Sequence, residues 1–136
     1  MPSLLEQARA RAAARRSRQV TVGLDELAIE LLCDVPTDLA AVEKMQAAAR
    51  GIDKKAPAAH FARALVAAQT VEIRIAGETV TIDGQPVAFR DPELQRDFGA
   101  DAKGCVQELL GADGDILTVA NRLMTEAGFA GDDDPT

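Results

Sequence analysis

The sequence predicts an α+β fold: a small antiparallel β-meander, joined by an N-terminal hairpin and covered on one face by several short α-helices. Three observations predict it. The stretch TVEIRIAGETVTIDGQPVAF (70–89) alternates apolar and polar residues with a period of two. Glycines at 77 and 84 break that stretch at the spacing of tight turns. Ala- and Leu-rich segments on both sides carry apolar residues at helical spacing. A three-stranded ribbon with one apolar face cannot stand alone, so helices must cover it.

Each element follows in chain order. Residues 1–18 hold Arg9, Arg11, Arg15, Arg16 and Arg18 against the single acid Glu6, and read as an Arg-rich helix or arm outside one α+β domain spanning 19–129. VTVGLDELAIELLC (20–33) fits two structures. A turn at Asp25-Glu26 gives a hairpin pairing Val22 with Ile29 and Val20 with Leu31. Leu24, Leu27, Ala28, Leu31 and Leu32 equally share helical spacing. The β-branched Val20, Val22 and Ile29 favour the hairpin, which is expected to join the central meander in one sheet. Pro36 ends the segment. Thr37 to Arg50 reads as a helix with Leu39, Val42, Met45 and Ala49 on one stripe and Gly51 as its stop. A second helix, Pro57 to Gln69, carries Phe61, Leu65 and Ala68 inward.

In the meander, type II′ turns centred on Gly77-Glu78 and Gly84-Gln85 pair Ile75 with Val80 and Ile82 with Val87. One face then collects Val71, Ile73, Ile75, Val80, Ile82, Val87 and Phe89. Pro86 lacks an N–H and belongs on an edge. Asp91 and Pro92 open a helix that ends near Gly99. DAKGCVQELLG (101–111) groups Cys105, Val106, Leu109 and Leu110. The last helix starts at its cap Asp115, carries Ile116, Val119, Ala120, Leu123 and Ala127 as its apolar stripe, and stops in a Schellman turn at Gly128 and Phe129. The acidic residues 130–136 are expected to fray as a flexible tail.

Composition narrows the function. Apolar residues make up 47% of the 136, but aromatics only 3%, with no Trp and no Tyr. The core is therefore Ala, Leu, Val and Ile, and few rings are left to stack on bases or sugars. No run approaches the roughly 20 apolar residues of a membrane span, and the Arg-bearing N-terminus does not read as a secretory signal. A net charge of −7 argues against a dedicated nucleic-acid binder, although the basic head could touch a phosphate surface.

Residues able to do chemistry are few, and each has a plainer explanation. His60 is the only histidine, and APAAHFARAL (56–65) gives it neither a nucleophile nor an orienting group. Cys33 and Cys105 lack redox or metal spacing and read as reduced, half-buried thiols. GADGDI (111–116) resembles a calcium loop without the closing Glu. A turn and a cap explain Asp113, Gly114 and Asp115. GDDDPT (131–136) reads as a solvated tail. No phosphate-binding or nucleophile-elbow motif is present. The expectation is a protein with no catalytic, cofactor or metal residues, acting by contact with other proteins.

The layout of Gln19 to Gly128 resembles the small tail assembly chaperones of long-tailed bacteriophages that infect actinobacteria, akin in function to the lambda G-type chaperone. The resemblance is carried by QVTVGLDELAIELLCDVPTD, by TVEIRIAGETVTIDGQPVAFRDPELQ and by AKGCVQELLGADGDILTVANRLMTEAG. It implies a non-enzymatic protein of the host cytoplasm that binds and solubilises the tape measure protein, recruits tail tube subunits and self-associates. It carries over no binding residue. A structural neck or tail subunit, and a regulatory adaptor whose basic arm contacts nucleic acid, are the competing expectations.

Overall fold

Ser3 caps the first helix. Its Oγ accepts from the Glu6 backbone N–H at 3.1 Å and donates to Glu6 Oε1 at 3.4 Å. The computed structural model describes residues 3–16, 18–52, 54–55 and 57–129, so the acidic tail expected at 130–136 lies outside the described residues. The helix, α1, spans Leu4–Arg16, and every side chain described along it is exposed.

Strand β1 (Gln19–Leu24) and strand β2 (Ile29–Asp34) form the hairpin, which settles the ambiguous segment in favour of strand. The register differs from the expected one. Val22 faces Leu31 and Val20 faces Cys33, because the connection is not a two-residue turn at Asp25-Glu26. A short 3₁₀ turn, Asp25–Leu27, is followed by Ala28 in the left-handed region at φ 55. Two extra loop residues slide the pairing by two, and that preserves which side chains face inward.

β2 then pairs antiparallel with β3 (Thr70–Ile75), so the hairpin and the central stretch share one sheet in the order β1-β2-β3-β4, with β4 at Glu78–Thr79. A bulge between Leu32 and Cys33 absorbs a register shift against β3. The turns of the meander are also placed differently from the sequence expectation. Ala76 and Gly77 are central in the first, at φ 53 and 83, and Asp83 and Gly84 in the second, at φ 53 and 79. Two successive positive φ values define type I′ turns, in which Gly occupies the second position and not the first. Ile75 therefore faces Glu78, not Val80, and Ile82 faces Gln85, not Val87.

Nor is the meander one sheet. Val80 donates its N–H to Ile73 at 2.8 Å and accepts from Val87 at 3.2 Å. These two partners lie on opposite sides of the strand, whereas a regular strand residue points both groups the same way. The chain kinks there, and β5 (Thr81–Ile82) pairs with β6 (Gln85–Pro86) as a separate ribbon. Pro86 sits at an edge as expected. Of the seven apolar residues assigned to one face, Ile73, Val87 and Phe89 are buried, Val71, Val80 and Ile82 are half-buried, and Ile75 at the turn is exposed.

The inner face of the sheet, with Val22, Leu24, Ile29, Leu31, Cys33 and Ile73, is buried beneath helices, while Thr21, Gly23 and Glu30 on the other face are exposed. The helices are α2 (Leu39–Ile52), α3 (Pro57–Gln69), α4 (Pro92–Phe98), α5 (Ala102–Leu110) and α6 (Asp113–Ala127). α3 is the centrepiece. Its Ala62, Leu65, Val66 and Ala67 are buried, and it packs on α2, α5 and α6. Small alanines let those helices approach closely.

Three boundaries differ from expectation. α2 begins at Leu39, capped by Asp38 Oδ1, which accepts from the Ala41 N–H at 3.2 Å, and it runs through Gly51 to Ile52. Gly51 is thus a helical residue, since glycine lowers helix propensity without itself turning the chain. α6 begins at Asp113, so Asp115 lies in the first turn and is not the cap. Both aspartates there face the positive end of the helix dipole. The Schellman stop is present: Gly128 is left-handed at φ 80, and the Phe129 N–H donates to Met124 O at 2.9 Å.

Candidate interaction surface

His60 lies half-buried on α3, with its Nδ1 3.4 Å from Arg63 Nη1. The recess it lines, of 320 Å³, is completed by Arg63, Lys103, Gly104 and Gln107. Cations and an amide line that recess, not the carboxylate or nucleophile an imidazole base would serve. Arg63 is itself tied down, donating to Gln107 Oε1 at 2.7 Å and to Asp113 Oδ1 at 3.1 Å. Asp113 is therefore partnered by an arginine, which is poor company for a cation.

The two cysteines are free thiols and fully buried, not half-buried as the sequence reading had them. Burial pushes the Cys33 thiol up to about 11. The Thr70 hydroxyl 3.7 Å away pulls it back in part, and Asp34 pushes it further. Burial likewise raises Cys105, with the carboxylates of Asp101 and Glu108 adding to the effect. Near neutral pH both are protonated thiols, and only thiolates attack or ligate. Among the described residues no group of three or more His, Cys, Asp or Glu side chains could hold a metal ion. GDDDPT lies outside the described residues.

What the structure does bring together is surface. On the outer face of the sheet, Glu72 Oε2 accepts from Arg74 at 2.7 Å and from the Thr79 hydroxyl at 2.8 Å. Those two partners hold the Glu72 carboxyl below the usual carboxylate range. Two recesses flank the connection between β2 and α2. One, of 390 Å³, runs between Val35-Pro36-Thr37 and the end of α6 at Thr125–Phe129. The other, of 420 Å³, is lined by Asp34, Asp38, Met45 and Gln69 among others. Arg18 bridges the first, pairing with the Glu126 carboxylate and donating to Glu126 O at 3.0 Å. This contact anchors the residue just before β1 to the last helix. It joins residues 108 apart in the chain, so no local sequence pattern could have announced it.

A third surface lies between α2 and α3, where Gln46, Arg50, Pro57, Ala58 and Phe61 line a shallow cleft of 270 Å³. Ile52 at the end of α2 is 57% exposed. The largest exposures of bulky apolar residues among those described belong to α1, with Leu4 at 83% and Leu5 at 60%. A basic helix with an apolar tip thus projects from the remaining chain. Residues 1–18 carry five arginines and one glutamate, a net of +4, and subtracting that from −7 leaves −11 for residues 19–136.

Among the described residues no helix is long and apolar enough to cross a membrane. Comparison with protein-family models, with curated proteins and with solved structures returned no match.

Proposed function

We propose that this protein is a non-enzymatic assembly chaperone of the phage-tail type. It binds and solubilises the tape measure protein, a long amphipathic helix, and helps recruit tail tube subunits in the host cytoplasm. The observation that carries the reading is α1. Helices in proteins draw most of their stability from packing an apolar face, and the described side chains of α1 are all exposed. A capped helix of this kind, ending in exposed Leu4 and Leu5, is suited to a second helix as its packing partner. The cleft between α2 and α3, with Pro57, Ala58 and Phe61 in its lining, offers a further seat for apolar side chains of such a client. The acidic remainder keeps the complex in solution while the apolar face of the client is covered.

Co-expression with a tape measure protein tests this. The client is expected to move from the insoluble to the soluble fraction, and a variant lacking residues 1–17 is expected to fold but to rescue poorly. The chaperone is expected to be absent from finished particles. No rescue, together with its presence in purified particles, would replace this reading with the structural-subunit one. The arginines of α1 also favour a second reading, an adaptor whose arm contacts nucleic acid. That reading requires DNA or RNA binding that weakens steeply with added salt.

A further inference from the structure

The two ends of the four-stranded sheet are managed differently. At the β4 end the strand is only two residues long, and the chain leaves it at the Val80 kink for a ribbon closed by Pro86. Short strands, kinks and proline are the usual protections of a sheet edge. β1 at the other end has none of them. It runs six residues, QVTVGL, without a charge, a proline or a bulge, and among the described residues no strand pairs with its outer side.

Which backbone groups face outward follows from one bond. Val35 N–H donates to Arg18 O at 2.9 Å, so 18 and 35 are a hydrogen-bonded pair, and with them 20 and 33, 22 and 31, 24 and 29. The N–H and C=O of Gln19, Thr21 and Gly23 therefore point away from β2. All three residues are exposed, and none of their backbone groups bonds to another segment among the described residues, so the edge is open.

We propose that this edge pairs with the same edge of a second copy, β1 against β1 antiparallel about a two-fold axis through Thr21. Thr21 faces its own counterpart, and Gln19 faces Gly23 of the second copy on either side. Each facing pair exchanges two backbone bonds, which uses every outward group of the strand. The sheet becomes eight strands, and half-buried Val20 comes to lie beside Val22 of the second copy on the inner face. Charge selects a second copy over another extended peptide. The axis sets Arg18 opposite Leu24 of the other copy, beside that copy's Asp25-Glu26 turn, and does so twice. No like charges meet across the axis, because β1 carries none.

Sedimentation equilibrium of the full chain, together with cysteine crosslinking, tests the pairing. The wild type is expected to be a dimer at 100 µM or below. Thr21→Lys sets two ammonium groups face to face and is expected to be a monomer, with an unchanged thermal midpoint extrapolated to low concentration. Facing residues of a hydrogen-bonded pair lie about 5.5 Å apart at Cα, within disulfide range. Thr21→Cys is therefore expected to crosslink in oxidised glutathione at least tenfold faster than the exposed control Thr118→Cys, with buried Cys33 and Cys105 as bystanders. A monomeric wild type, a dimer that survives Thr21→Lys, or equal crosslinking at 21 and 118 would overturn the pairing. Each of these reads strand pairing alone, so client binding stands or falls separately.

Discussion

Cys33 is a titration probe buried in the sheet. Its side chain is fully buried, with Sγ 3.8 Å from Leu31 O and 3.7 Å from Thr70 Oγ1. A thiolate there would lose water and keep at most one hydroxyl donor, which is why the thiol sits at about 11 and not at the ordinary 9.0. Between those two values the unfolded chain has lost the proton and the folded chain still holds it. Stability therefore falls as pH rises through that window: the contribution is complete below 9 and gone above 11. At about 1.4 kcal/mol per pH unit the loss is roughly 3 kcal/mol, a large share of a typical domain's 5–15. The chain has no tyrosine, and burial also raises the Cys105 thiol, so Cys105 is removed from the comparison. Guanidinium melts under reductant from pH 8 to 10.5, in a Cys105→Ala background, should show the fall. Cys33→Ala should flatten it while lowering stability at pH 8, where the thiol's contribution is complete. An unchanged slope in Cys33→Ala would refute the burial argument. So would native alkylation of Cys33 at pH 8 as fast as in the unfolded chain.

Three further outcomes are expected from denaturant midpoints. Gly51→Ala should stabilise by about 0.5–1 kcal/mol, because Gly51 is helical and nothing lies within 4 Å of an added Cβ; a true helix stop would lose stability instead. Ala76→Asn should stabilise by up to about 1 kcal/mol, since Ala76 sits at φ 53 in a type I′ turn that favours Asn-Gly. Removing residues 1–17 should change stability by no more than about 0.5 kcal/mol, because the described side chains of α1 are all exposed.

The fold was legible where local chemistry and burial agree. The helix expected over about Pro57 to Gln69 is present, the one opened by Pro92 stops at Phe98 beside the expected Gly99, and the Schellman stop at Gly128 was readable from Gly-Phe alone. The turns were misread for one physical reason. A lone glycine before a polar residue looks like a type II′ turn, whereas the true turns place Ala76 and Asp83 at positive φ ahead of their glycines. Asp83-Gly84 is itself a favoured type I′ pair, so the correct signal was present in the second turn and absent from the first. Both errors moved the pairing by two residues, which kept Ile73, Val87 and Phe89 inward, but the single seven-residue face was lost at Ile75 and where the ribbon separates at Val80. The kink at Val80 had no sequence signal, because it depends on a donor and an acceptor finding partners on opposite sides. The interaction surfaces were less legible still. The Arg18–Glu126 anchor and the recess it bridges exist only once the first strand and the last helix meet.

Strand pairing at β1 and client binding through α1 would reinforce each other, because α1 leads into β1. With the axis at Thr21, the two Gln19 residues stand four strand steps apart, about 14 Å at roughly 3.4 Å per residue. Two arms, each a 13-residue helix, would then reach one long helical client from adjacent roots. Once one arm is bound, the other sees the client at an effective concentration in the millimolar range, so the pair grips far more tightly than either arm alone. The gain depends on the client being long and repetitive enough to offer two contacts. Folded, monomeric Thr21→Lys should therefore bind a long helical client at least a hundredfold more weakly than the wild type, yet bind a client fragment of one arm's length equally well. Equal weakening for both lengths would mean that Thr21 touches the client directly and that the arms act singly.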